Sequence, residues 1–199
     1  MYASQIHILI GFEGEWMRPA YGPLVENLAV HPSVDYFIGS LHHVMGIPID
    51  YDAEYYRKAL HAAGATEEKM YERYYDEQFE MLRTLKPKVV GHFDLVRLMS
   101  SDPGRDVREW KGVWERIVRN LEFVAGYGGW LECNSSALRK GLDEPYPCRF
   151  IAQVGLPANF TVIFFVFSSL YNAILTPNRN GSGWAGSSPS PMTAMGSRR

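Results

Sequence analysis

Three apolar runs in this 199-residue chain each lead through a glycine to a side chain able to hold a metal ion. "LIGFEGEW" places Glu13 after Gly11, "FIGSLHHV" places His42 after Gly39, and "VVGHFDLV" places His92 directly after Gly91. A fourth run, "WLECN", ends in Glu132 and Asn134. Carboxylate and imidazole are donors that zinc, manganese and iron accept, and one carboxylate can bridge two ions. A pair of such ions binds phosphate and makes hydroxide available near neutral pH. Taken singly, each residue has an ordinary reading. His42 reads as a capping or hydrogen-bonded loop histidine, Glu13 as a surface carboxylate like its neighbour Glu15, and His92 as the polar end of a strand. His7, His31 and His61 lie on a strand, a loop and a helix without such a context. The weight comes from the same ending recurring three times.

Convergence of these side chains requires elements that deliver them to one place. Ile6 to Ile10, Val34 to Ile38, Val89 to Val90 and Trp130 to Cys133 are short and rich in β-branched or aromatic residues, and they read as strands. Helices are expected between them. One is capped by Asp52 and ends at Gly64, one starts at Thr66 and stops before Pro87, and one runs from about Asp106 to Ala125. Strands alternating with helices predict parallel βαβ units, in a doubly wound sheet or a barrel. In both folds the carboxyl ends of the strands form one rim, and sites are built there.

Bulk composition narrows the function classes. Apolar residues make up 46% and charged residues 21%, the balance of a globular domain. A formal net charge of −2 gives no basic footprint for nucleic acid and no polybasic membrane signal. Two cysteines, Cys133 and Cys148, are too few for a disulfide framework, and no signal peptide opens the chain, so a cytoplasmic location is expected. Near Gln153 the character changes. Leu156 to Leu175 is a run of about the ~20 residues a membrane helix needs, but Pro157, Asn159, Ser168, Ser169 and Asn172 interrupt it. The following residues, to Arg199, are rich in Gly, Ser and Pro and read as disordered.

Together "ILIGFEGEW", "DYFIGSLHHV", "VVGHFDLVR" and "LECNSSALRKGLDEPYP" resemble the histidinol-phosphate phosphatases of the polymerase and histidinol phosphatase (PHP) superfamily, most like the fungal type. The resemblance runs from about Ile6 to Cys148. It implies a distorted (β/α)7 TIM-like barrel, here incomplete, with divalent metal ions (Zn, Mn or Fe) at the strand ends. It also implies hydrolysis of a small phosphomonoester, histidinol phosphate, to histidinol. By motif, Glu13 corresponds to the bridging carboxylate, and His42 and His92 to metal ligands. His43 falls where the family accepts other residues. Arg97 and Arg139 are the candidates for phosphate contact, because guanidinium pairs bidentately with phosphate oxygens.

Two family elements are missing from the expected places. No H-x-H strand precedes Glu13, and no D-x-H element follows Cys148. The expectation is therefore a PHP domain over residues 1–153, truncated at both ends and impaired in activity. Residues 154–199 are then an aberrant apolar segment with a Gly/Ser/Pro tail. Regrouping the codons of Gly186 to Arg199 from the third base of Met192 forces Asp there and Gly at Met195, and it permits a D-x-H string between them. That pattern predicts a shifted reading frame. A non-catalytic α/β binding or scaffold protein is the alternative from another class, and a membrane tether through Leu156 to Leu175 is a third reading.

Overall fold

The computed structural model describes residues 8–154 and the backbone of Thr161–Phe165. Five parallel strands form the main sheet: β1 (Gly11–Glu15), β2 (Tyr36–Ser40), β5 (Val89–Val90), β6 (Trp130–Asn134) and β7 (Thr161–Phe165). Strands β3 (His43–Val44) and β4 (Ile47–Pro48) pair antiparallel as a separate hairpin. The main sheet runs β1-β2-β5-β6-β7, so each new strand is added on the same side. A doubly wound sheet reverses direction at a switch point; among the described residues this one does not. The described part is thus a parallel α/β sheet whose strand order advances in one direction and which stays open over the described residues.

Helices α1 (Gly22–Ala29), α2 (Ala53–Ala62), α3 (Glu67–Leu85), α4 (Lys111–Gly126), α5 (Ser136–Arg139) and α6 (Arg149–Ala152) connect the strands. The cap of α2 is the Asp52 carboxylate, accepting from the Tyr55 N–H at 2.8 Å, and that of α3 is the Thr66 hydroxyl, accepting from Lys69 at 3.3 Å. Glu67 and Glu68 add negative charge where the α3 dipole is positive. That helix ends at Lys86 in a left-handed conformation (φ 43°), and Pro87 cannot continue it. Val113, Ile117, Leu121 and Val124 of α4 are buried at helical spacing and pack with the buried face of α3 around Tyr74, Tyr75 and Met81. Burial contributes roughly 1.5–3 kcal/mol for each large side chain, and this interior is what fixes the sheet beneath the site.

The structure moves several expected boundaries. Of the strand expected over Ile6 to Ile10, Ile6 and His7 lie outside the described residues, and Ile8, Leu9 and Ile10 are exposed; the first described strand is Gly11–Glu15, where pairing with β2 begins at Gly11↔Tyr36. The second runs through Gly39 to Ser40 instead of stopping at Ile38. Gly39 is there for close approach: a Cβ would lie 2.6 Å from Pro87 Cγ. The expected start of α4 at Asp106 is instead the cap of a 3-10 turn, Val107–Glu109, and the α-helix begins at Lys111. Helix α1 and the β3–β4 hairpin had no counterpart in the sequence reading. Within the apolar segment, Thr161–Phe165 pair with β6; β-branched and aromatic residues suit such a strand. The rest of the proposed membrane tether and the Gly/Ser/Pro tail lie outside the described residues. No helix among those described is long and apolar enough to cross a membrane.

Candidate metal centre

Residues opposite each other in a sheet share a face, as do residues two apart on one strand. Glu13 and Glu15 of β1 therefore share a face with Ser40, which pairs with Glu15. Across β5 the same row continues: a Cβ on Gly91 would lie 2.6 Å from Ser40 Oγ and 3.5 Å from Glu132 Oε2. Pleat and register thus put one carboxylate-rich face at the carboxyl ends of the strands. His42 and His92 follow β2 and β5 directly and reach over this face.

Three ligand atoms meet there. His92 Nε2 lies 3.2 Å from Glu13 Oε1, and His42 Nε2 lies 3.6 Å from the same oxygen. The two imidazole rings have centroids 4.6 Å apart. All three donors fall within 4.8 Å of one another. Metal–ligand bonds of about 2.0–2.2 Å put adjacent donors of a tetrahedral or octahedral centre about 3.0–3.5 Å apart. The donor set, one carboxylate and two imidazoles at these separations, fits a small divalent cation. His92 Nδ1 is buried without a hydrogen-bond partner, so Nε2 is the ring atom with company.

Local charge prepares both residue types. The hydrogen bond with His92 is the largest influence on Glu13. Burial opposes it, but the Ser40 hydroxyl and the charges of His92 and His42 add to it, and the carboxyl is held down to about 2. Burial, then the charge of His92, pushes the His42 imidazole below its ordinary value against the pull of Asp50, Glu13 and Glu15. Ionised carboxylate and neutral imidazole are the forms a metal binds.

The other predicted residues separate. His43 lies on β3, buried, with Nδ1 2.9 Å from Glu15 Oε1, and it is outside the cluster. His31 accepts from the Ser33 N–H, His61 sits in the last turn of α2, and His7 lies outside the described residues. Arg97 is a correction. Its side chain is only 5% exposed, and its Nε donates to Asp94 while Nη2 donates to the carbonyls of Glu144 and Pro145. The guanidinium also lies over the Tyr146 ring at 5.0 Å. A phosphate would need a bidentate face that these partners already occupy, so Arg97 ties the 144–148 segment to the His92 loop. Arg139 is exposed at the end of α5, outside the cluster.

Two supporting residues, Asp94 and Gln78, carry no signal in the sequence, whereas Glu132 stands out there only as a strand-end carboxylate. Asp94 is buried and accepts from both Arg97 Nε and the Cys148 N–H. Gln78 of α3 donates to the Phe93 carbonyl at 2.8 Å. Glu132 accepts from the His92 N–H at 2.9 Å. Only for Glu132 did a signal exist: the alternation in "LECN" puts Glu132 and Asn134 on one face. His92 itself adopts φ 22°, a sparsely populated conformation costing about 1–3 kcal/mol, so these contacts have strain to hold.

Comparison with known proteins gives a consistent set of relatives. The PHP domain family matches residues 1–136. A Schizosaccharomyces pombe protein named "Probable histidinol-phosphatase" is 42% identical over 154 residues, 77% of this chain and 50% of the relative. The Saccharomyces cerevisiae histidinol-phosphatase is 38% identical over 137 residues, 59% of this chain and 41% of the relative. The chain thus spans about half the length of the curated relatives it matches. Among solved structures, a Listeria monocytogenes chain provisionally described as a histidinol phosphatase shares the fold. Its TM-score is 0.68 at 24% identity, over 82% of this chain and 64% of that one.

Proposed function

The chain belongs to the PHP domain family, and from that premise we propose that it carries part of a metal-dependent histidinol-phosphatase centre. The substrate is then a small phosphomonoester, L-histidinol phosphate, and the products are L-histidinol and phosphate. The convergence of Glu13, His42 and His92 on one point carries this reading; the fungal relatives supply the substrate. Glu13 would hold the cation through a carboxylate kept ionised by its histidine neighbours, and His42 and His92 would complete one wall through Nε2. The metal, when bound, supplies Lewis acidity toward the phosphoryl oxygens and a lowered pKa for water. Zinc, manganese and iron all suit one carboxylate with two imidazoles. An incomplete, distorted (β/α)7 TIM-like barrel, a phosphate contact by Arg139 and a cytoplasmic location belong to the same proposal. Among the described residues, no observation favours the non-catalytic scaffold reading.

Metal titration of the purified chain tests the site, with phosphate release from L-histidinol phosphate as the second measurement. Saturable zinc or manganese binding that Glu13→Ala, His42→Ala and His92→Ala each weaken is expected, with turnover slower than that of the full-length fission-yeast relative assayed alongside. Metal binding indifferent to all three substitutions would overturn the site. Turnover equal to the relative's would overturn the expectation of impaired activity.

A further inference from the structure

We propose that Glu132 is a positioning residue for this centre, acting through the backbone of His92. The inference rests on the metal-site reading above. Glu132 is 5% exposed, and each of its oxygens is engaged. Oε2 accepts from the His92 N–H at 2.9 Å, and Oε1 accepts from Asn134 Nδ2 at 3.0 Å. Asn134 is itself fixed: its Oδ1 accepts from the Ser136 N–H at 2.8 Å, and its backbone exchanges two hydrogen bonds with Tyr146. A continuous set of hydrogen bonds therefore runs from the start of α5, through Asn134 and Glu132, to His92.

The consequence lies in where the ladder stops. The Gly91 N–H still bonds to the Gly39 carbonyl within the sheet, whereas the next N–H, that of His92, leaves the ladder for the Glu132 carboxylate. That exchange turns the chain into φ 22° and brings the imidazole back over β1, 3.2 Å from Glu13. Gly91 makes room for it, since a Cβ there would meet Ser40 Oγ at 2.6 Å and Glu132 Oε2 at 3.5 Å. Glu132 is thus one step behind a ligand, the position from which ligand geometry is set.

Charge alone is the competing account of Glu132; positioning and charge make opposite demands on substitutions. Glu132→Gln keeps the reach and an accepting oxygen but loses the charge. Glu132→Asp keeps the charge but falls one methylene short of the His92 N–H. The test is zinc affinity of the full chain by calorimetry near neutral pH, with thermal unfolding of each metal-free variant and His92→Ala as the control. Since residues behind a ligand typically contribute 10- to 100-fold in affinity, Glu132→Asp should lose about that factor while Glu132→Gln stays within about threefold. The reverse order, or wild-type zinc affinity in Glu132→Asp whatever its melting temperature, overturns the proposal. Should Glu132→Asp not fold, Glu132→Gln still decides. A folded Gln variant that loses zinc affinity overturns the inference, and one that retains it with slow amide exchange at His92 supports it. Wild-type affinity in His92→Ala would sink the metal-site reading instead, which separates the two failures.

Discussion

The two histidines of the cluster reach the same Glu13 oxygen from opposite kinds of surroundings. His92 is 8% exposed and sits on a loop held from the interior: its N–H by Glu132, the next carbonyl by Gln78, and the next side chain, Asp94, by Arg97 and the Cys148 N–H. The His42 side chain is 25% exposed, and its ion-pairing neighbours are Glu13 and Glu15, themselves 49% and 42% exposed. Its backbone is steadied chiefly by the hairpin, where the Ile49 N–H donates to the His42 carbonyl at 2.9 Å. One wall of the candidate site is therefore built into the core and the other stands in partial contact with water. Substitutions behind His92 should register as lost stability, and substitutions around His42 as altered binding and pH response.

The buried wall should break hardest at Arg97. Arg97→Ala leaves Asp94, 1% exposed, without its counter-charge and strips donors from the Glu144 and Pro145 carbonyls. Removing one member of a buried ion pair costs about 3–5 kcal/mol, and urea unfolding of the metal-free chain measures it. A loss as small as that of a surface pair would erase the contrast between the two walls. Gly91→Ala ranks next. Its Cβ would have to displace Ser40 Oγ and Ile38 Cγ2, at 2.6 and 2.9 Å. Overpacking of this kind costs about 1–3 kcal/mol, and metal affinity should fall with it because the same methyl crowds Glu132.

At the exposed wall, Glu15→Ala should cost about 1 kcal/mol of stability: its pair with His42 is solvent-screened, and most of the loss comes from buried His43 Nδ1, left without its 2.9 Å partner. Calorimetric zinc affinity should drop nonetheless, since Glu15 lies 3.5 Å from His42 Nδ1 and orients that ring. Unchanged affinity would mean that His42 finds its orientation without Glu15.

How much of this was visible beforehand follows the range of the forces involved. The strand–glycine endings that carry Glu13, His42 and His92 are local patterns, and they were legible as such. Strand limits were not, because Gly11 and Ser40 become strand residues only by pairing with one another's neighbours. The β3–β4 turn was missed because Met45 and Gly46 both take positive φ, at 53° and 74°, and methionine rarely marks such a turn. Its N–H is held by Glu77, 32 residues away. Arg97 was misread for the same reason. "DLVR" looks identical whether its guanidinium faces solvent or carbonyls 47 and 48 residues further on. Burial of charge is decided by such distant partners, so the wall around His92 is the part of the site that sequence could not disclose.

The gentlest probe of the contrast is pH. In the metal-free chain the His42 imidazole is pushed below its ordinary 6.5, first by burial and then by the charge of His92. A group with a depressed folded-state pKa binds fewer protons folded than unfolded, so stability falls as pH drops. For His42 the loss begins near 6.5 and continues down through its folded value. Glu13, ordinarily 4.5 and here about 2, adds a loss of the same sign only below 4.5. Between 6.5 and 4.5 the loss at His42 proceeds without any contribution from Glu13, which lets the imidazole be read there. Thermal melts from neutral pH down to about 5 should show a shallower decline in His42→Asn than in wild type, while Glu15→Ala, which removes a carboxylate that favours the imidazolium, should steepen it. Parallel slopes in wild type and His42→Asn would mean that the exposed wall does not feel protonation, and the division between a core-built and a water-facing half would lose its electrostatic side.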